Sequence, residues 1–182
     1  DGLLAGTAMF IGGVAQLIAG LIQYPKNNTH SATVFCLFGF HWISQGYIFT
    51  LRSEHYFPAG FTAEAGAAYY ILLTVMTVIL WIPTFRMNHV LNLTLFVVIW
   101  VYIIDAVAAF GFRSCQIIAG VLSCMAATLA FYMCALDLVN ESFGRVVFPI
   151  FPHKLHKKDY ELALQYIPKV HYHKSAMSGV HV

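Results

Sequence analysis

The stretch GGVAQLIAGLIQYPKNNTHSATVFCLFGF, residues 12–40, places a short polar segment between two long apolar runs. The polar segment, residues 23–30, holds a proline, a lysine, two asparagines, a threonine and a histidine. The whole chain is 59% hydrophobic and only 10% charged, whereas a soluble domain carries about 25% charged residues. So little polar surface predicts an integral membrane protein, in which this segment is a turn between two membrane spans.

Apolar segments of similar length recur along the rest of the chain. A helix needs ~20 residues to cross the hydrocarbon core, and backbone groups in lipid must bond within their own segment. Five segments meet that length: 2–23, 31–51, 65–85, 90–111 and 114–136. We therefore expect an all-α, polytopic membrane helix bundle over residues 1–151, followed by a basic, His-rich tail at residues 152–182.

The lysines and arginines orient this bundle, because cytoplasmic loops carry an excess of them. Arg52 and Arg113 fall on one side of the membrane. The other basic residues fall on the opposite side: Lys26, Arg86, Arg145, Lys154, Lys157, Lys158, Lys169 and Lys174. We therefore expect a cytoplasmic C-terminus, in a plasma or cell inner membrane. The odd number of spans predicts a sixth, N-terminal span that is missing from this sequence.

Small residues recur at helical spacing in two of the spans. They are Ala8, Gly12, Ala15 and Ala19 in the first span, and Ala119, Ser123 and Ala127 in the fifth. Small side chains let membrane helices approach closely. The pattern predicts close packing within one bundle, and an interface between copies of the chain is a compatible interpretation.

A few polar side chains interrupt the apolar spans. Gln16 lies deep in the first span, where it either bonds a neighbouring helix or lines a pore. His41 and Gln45 lie about one turn apart on the second span, on a stripe that is expected to face protein or water. His41 is either a packed histidine or a group that titrates near neutral pH.

Asp105 is the ionisable residue that lies well inside a predicted span. An intramembrane carboxylate costs ~2.5 kcal/mol or more on insertion scales, which makes it a functional-site hypothesis. The alternative is that Asp105, two turns from the outer end of its span, reaches water at a pore mouth. Aromatic residues near the span ends, Tyr69 and Tyr70 among them, are interpreted as a membrane-interface belt or as packing.

Sequence motifs of soluble enzymes do not occur in the chain. It has no Walker A loop, no G-x-S-x-G, no H-E-x-x-H and no dinucleotide fingerprint. We expect no enzymatic activity, no cofactor and no metal site. The basic residues are scattered or gathered in the tail, so no nucleic-acid partner is expected either.

Three stretches of the chain carry a family resemblance. MFIGGVAQLIAGLIQYPKNNTHSATVFCLFGFHW, residues 9–42, resembles a G-G-x-x-Q-x-x-A-G span, a Y-K-x-G-N-T loop and an F-x-x-Y-G-x-F-W span. TFRMNHVL, residues 84–91, resembles a T-L-R/K loop. Residues 119–150, AGVLSCMAATLAFYMCALDLVNESFGRVVFPI, resemble a last span with an L-N-E-x-F-G-R-x-x-L-P ending. Together they resemble the acetate uptake transporter family, which includes the succinate–acetate permeases.

The resemblance implies six helices per protomer, a hexamer, and movement of acetate and related short carboxylates, often with protons. It also implies an N-P-A-P-L-G-L signature in a first span that this sequence lacks. A narrow point of the pathway falls by register on Phe38 and Val98. Asn28 and Thr29 match the loop motif, in which Asn27 replaces a glycine. Asp105 falls where the family has an apolar residue.

Two functions are carried forward. The first is a membrane transporter or channel for acetate and related short carboxylates, succinate included, which passes the neutral acid or couples it to a proton. Its expected pathway residues are Gln16, Phe38, His41, Gln45, Val98 and Asp105. The alternative is a non-transporting membrane assembly or receptor protein that retains the bundle. An upstream span with the N-P-A-P-L-G-L signature would favour transport.

Overall fold

A computed structural model describes residues 2–54, 62–149 and 151. Within these ranges, five helices have the length and apolar composition of membrane spans. They are α1 (Gly2–Lys26), α2 (Thr29–Ser53), α3 (Ala63–Arg86), α4 (His89–Ala108) and α5 (Arg113–Phe143). The predicted all-α membrane bundle is confirmed. The predicted tail, residues 152–182, lies outside the described residues.

The polar segment that opens the sequence forms a tight turn between α1 and α2. Asn27 adopts a left-handed backbone with φ of 56°, a conformation that asparagine tolerates better than other non-glycine residues. The Asn28 side chain then caps α2 by accepting a hydrogen bond of 3.2 Å from the Ser31 amide. These two asparagines let the chain reverse within two residues.

The last helix, α5, continues to Phe143, seven residues past the predicted end at residue 136. Asp137 and Glu141 lie within this longer helix. Gly144 follows with φ of 59°, and its amide donates to the carbonyl of Glu141. A left-handed glycine is a common helix terminator, and its position decides the length of α5.

The first helix changes its hydrogen-bonding pattern in the middle. It is α-helical over Gly2–Thr7, π-helical over Ala8–Ala15, α-helical again over Gln16–Gln23, and 3₁₀-helical over Tyr24–Lys26. The π segment contains Gly12 and Gly13. Wide π turns within α-helices often mark functional sites, and this one places Gln16 directly after it.

Glycines hold α1 and α2 against each other at backbone distance. A Cβ placed on Gly39 of α2 would lie 2.9 Å from the Leu17 nitrogen and 3.0 Å from the Gly13 oxygen. A Cβ on Gly46 would lie 2.9 Å from the Ala5 oxygen. The predicted role of small residues in bringing spans together therefore applies to this helix pair.

The remaining helices form a second unit beside this hairpin. Helix α4 packs along both α3 and α5, and it supplies more buried residues than either neighbour. Two core clusters mark the contacts. One contains Leu73, Val97, Val101, Tyr102 and Ala126, and the other contains Val34, Leu80 and Leu95. The second cluster joins α2 to α3 and α4, so the hairpin and the three-helix unit meet through side chains.

One hydrogen bond also joins the two units near the turn between α1 and α2. Pro83, which lacks an amide hydrogen, lies near the start of the 3₁₀ segment Ile82–Arg86 at the end of α3. The Nε2 atom of His30 lies 2.8 Å from the carbonyl oxygen of Leu80. Since a carbonyl only accepts, His30 donates through Nε2 to the Leu80 carbonyl.

Removing this donor is expected to loosen the two units. We predict that His30→Ala lowers the free energy of unfolding by about 1–3 kcal/mol, because the part-buried carbonyl loses its partner. Thermal unfolding in detergent measures the change. The His30→Gln variant keeps an N–H donor and is expected to retain most of the stability. Equal losses in both variants would contradict a role for the hydrogen bond.

Candidate functional site

The candidate site lies on a face of α2 next to the one that makes the glycine contacts. Phe38, His41 and Gln45 follow at helical spacing on this face, and His41 and Gln45 are 8% and 7% exposed. Gly39 and Gly46 lie about 100° around α2 from this face and pack against α1. The hairpin thus fixes the helix whose remaining side chains reach α3 and α4.

His41 is held by a tyrosine from α3 and another from α4. A hydrogen bond of 2.7 Å joins His41 Nδ1 and the Tyr69 hydroxyl, and the two rings stack with centroids 5.8 Å apart. The Tyr102 ring meets His41 edge to face at 5.4 Å. A buried imidazole costs free energy unless it is hydrogen-bonded, so Tyr69 makes His41 tolerable inside the bundle.

Further rings complete a layer across the boundary between the two units. Phe38 lies 6.4 Å from Tyr102, and Tyr70 stacks on Tyr102 at 6.2 Å. We call this layer the aromatic cluster: Phe38, His41, Tyr69, Tyr70 and Tyr102. Centroid distances of this size are those of attractive aromatic pairs. The cluster closes the space between the hairpin and the three-helix unit with apolar ring surface.

A cavity of about 600 Å³ adjoins the aromatic cluster and shares Tyr69 and Tyr70 with it. Its lining adds Gln45, Arg52, Asp105 and Gln116 to these rings. The Gln45 side-chain nitrogen donates to the Tyr70 hydroxyl at 3.4 Å. The cavity therefore offers amides, hydroxyls and two charged groups next to an apolar layer.

The two charged groups of the cavity differ in their surroundings. The Arg52 side chain is exposed, whereas Asp105 is half-buried. No described residue forms an ion pair or a side-chain hydrogen bond with Asp105. The carboxylate thus faces the cavity without a neutralising partner from the described part of the chain.

The structure brings together some of the predicted pathway residues. Phe38 and Val98 pack against the same core cluster, and His41 and Gln45 lie beside them on α2. Asp105 reaches the same region from α4, one lining wall of the cavity. The spacing of Val98, Tyr102 and Asp105 places them on one face of α4.

The other predicted residues belong neither to the aromatic cluster nor to the cavity lining. Gln16 is half-buried on α1, and its side-chain amide has no hydrogen bond with the described residues. Asn28 bonds Ser31 and Gln23 in the turn between α1 and α2. Thr29 is exposed at the start of α2. In this structure, Asn28 therefore stabilises the turn, and Thr29 is the first residue of α2.

Three tyrosines of the site were not predicted from the sequence. Tyr69 and Tyr70 were interpreted as interface belt or packing, and Tyr102 was not singled out. The hydrogen bonds from Tyr69 to His41 and from Gln45 to Tyr70 place both of the α3 tyrosines inside the bundle. The signal in the sequence was weak. Tyr102 lies four residues after Val98 and three before Asp105, so helical spacing alone would have joined it to them.

Among the described residues, no group of three or more His, Cys, Asp or Glu side chains is placed to hold a metal ion. In pathways for small solutes, amides and hydroxyls replace hydration, and apolar rings form narrow points that exclude water. A bundle of membrane helices with a cavity lined in this way belongs to the class of membrane transporters and channels.

Comparison with known proteins gives the family within that class. The family model described as the GPR1/FUN34/yaaH family matches residues 2–153. The chain belongs to this family. The resemblance to acetate uptake transporters that its motifs carry is thereby confirmed.

Two similar proteins cover most of the chain. It is 28% identical over 151 residues to the succinate-acetate/proton symporter SatP of Escherichia coli strain K12, which covers 82% of this chain and 80% of the symporter. The solved structure of the bacterial acetate channel SatP matches with a TM-score of 0.76 and 28% identity, over 82% of this chain and 83% of that one. A shorter match, 45% identical over 47 residues, links 26% of the chain to 17% of the ammonia transport outward protein 2 of Saccharomyces cerevisiae.

Proposed function

We propose that this chain is a membrane transporter or channel for acetate and related short carboxylates. The observation that carries the proposal is the aromatic cluster, which fills the space between the hairpin and the three-helix unit directly beside a polar cavity. The similarity to the SatP symporter and to the SatP acetate channel over most of the chain supports the choice of substrate. These relatives also support the prediction that the chain is not an enzyme.

The proposed mechanism starts from the cost of removing water from a carboxylate. That cost is high in an apolar site unless donors replace the water or a proton neutralises the charge. The cavity supplies the donors through Gln45, Gln116 and the tyrosine hydroxyls. Phe38 and Val98, together with Tyr102, then form the apolar constriction, which excludes water and opens only for a desolvated solute.

A neutral acid crosses this constriction more easily than its anion. We propose that acetate passes as the neutral acid or together with a proton, as the name of the SatP symporter states for that protein. His41 lies at the constriction and Asp105 lines the cavity. These two residues are the candidates for binding and releasing the proton. Gln16, after the π segment of α1, is the candidate that holds the solute as it approaches from the first helix.

The direct test is uptake of labelled acetate by proteoliposomes that contain the full-length protein. We expect saturable uptake that increases when the outside is more acidic than the lumen. Protein-free liposomes measure the passive entry of acetic acid and serve as the control. Uptake equal to that of the protein-free liposomes would reject the proposal in favour of a membrane protein that does not transport.

The assembly and placement of the chain are part of the proposal. We propose a homo-oligomer, a hexamer by family resemblance, in a plasma or cell inner membrane with a cytoplasmic C-terminus. The exposed small residues of α5, such as Gly120, Cys124 and Ala127, support close contact with another copy. Chemical cross-linking in membranes tests the oligomer. Cleavage of the tail by protease added outside intact cells would contradict the proposed cytoplasmic C-terminus.

A further inference from the structure

Asp105 places a negative charge on the wall of the cavity. The Asp105 carboxylate lines the cavity together with Tyr70. Arg52 and Asp105 are the charged residues of the described lining. No described residue pairs with the carboxylate. A charge in this place acts on every solute that enters.

The two charges of the cavity do not cancel for a solute inside it. The exposed guanidinium of Arg52 is screened by water and salt, whereas a half-buried carboxylate is screened much less. An anion beside Asp105 is therefore repelled in proportion to its own charge. A dianion is repelled twice as strongly as a monoanion, and a neutral acid is not repelled.

We propose that Asp105 is a charge filter that favours neutral acids and monocarboxylates over dicarboxylate dianions. The filter rests on the proposed transport function and narrows its substrate class. It predicts that succinate is a poor substrate of this chain relative to acetate. The aromatic cluster selects solutes by their size and by the cost of removing their water, and Asp105 selects them by their charge.

The test compares labelled succinate with labelled acetate in the same proteoliposomes at pH 7.5. The Asp105→Asn variant keeps the size and polarity of the side chain but removes its charge. We expect its ratio of succinate to acetate uptake to rise about tenfold, the size of effect that one charge produces at short range in a partly screened site. An unchanged ratio overturns the filter.

A matched variant separates the cavity from the rest of the surface. Asp137→Asn removes the same charge from an exposed position on α5 that does not line the cavity. We expect its uptake ratio to equal that of the wild-type protein, and an equal rise in both variants overturns the filter. Asp105→Leu, which replaces the carboxylate by an apolar side chain, is the second variant at the site and is expected to raise the ratio as well.

Binding provides a readout that does not depend on transport. Saturation-transfer NMR on the detergent-solubilised protein compares contact of acetate and of succinate with the chain. We expect the wild-type protein to give a signal with acetate and little with succinate, and Asp105→Asn to gain the succinate signal. If no variant moves acetate, the proposed function fails while this comparison still decides the filter. Equal succinate signals in both proteins overturn it.

Discussion

In proteoliposomes, the Phe38→Ala variant is expected to pass acetate roughly tenfold faster than the wild-type protein, the change that about 1.4 kcal/mol off a barrier produces. Phe38 lies in the aromatic cluster and packs on both core clusters where α2 meets α3 and α4. Its removal opens the apolar layer to water, so a carboxylate loses less hydration on the way through. We also expect the variant to admit a bulkier acid such as benzoate.

Phe40→Ala is the matched control for this experiment. Phe40 lies two residues away on α2, is 58% exposed, and is not part of the aromatic cluster. We expect this variant to keep the acetate rate and the selectivity of the wild-type protein. If Phe38→Ala also leaves both unchanged while the protein stays folded, Phe38 is not part of the constriction.

The second large effect concerns the contact between α1 and α2. We expect Gly39→Ala to lower the free energy of unfolding by about 3 kcal/mol or to prevent accumulation of folded protein. The new Cβ would meet the backbone of Leu17 and Gly13 at about 3 Å, and backbone atoms cannot move aside like the end of a side chain. Yield after purification and the midpoint of thermal unfolding measure the effect.

Gly6→Ala makes the same chemical change in the same helix pair. A Cβ on Gly6 has no atom within 4 Å outside its own helix and chain neighbours. In a helix interior, alanine is favoured over glycine by up to about 1 kcal/mol. Gly6→Ala is therefore expected to be neutral or stabilising. If Gly39→Ala were equally harmless, the close backbone approach of α1 and α2 would not be a source of stability.

These two experiments separate the site from the scaffold that places it. Gly39 and Phe38 are neighbours in sequence, yet they face different helices because successive residues on a helix point about 100° apart. A defect in Gly39→Ala is expected to appear in folding, and a change in Phe38→Ala in flux. Neighbouring residues of α2 thus contribute to two different features, the contact with α1 and the constriction.

The sequence by itself determined the helices and the turn that links the first two of them. Length and apolar composition were sufficient for five spans, since backbone groups in lipid have to bond within their own helix. The turn at residues 23–30 was also local, because Asn27 and Asn28 act on neighbouring backbone groups. The motifs in residues 9–42 and 119–150 were sufficient for the family.

The tertiary structure decided which helix faces meet and which side chains form the site. In a soluble helix, the buried face can be predicted because apolar residues recur on one side and polar residues on the other. A helix in lipid is apolar on all sides. The sequence of α2 predicted that His41 and Gln45 face protein or water, but it did not identify their tyrosine partners on α3 and α4. Tyr69 and Tyr102 joined them only when the hairpin packed against α3 and α4, because contacts between distant segments depend on packing that no local pattern records.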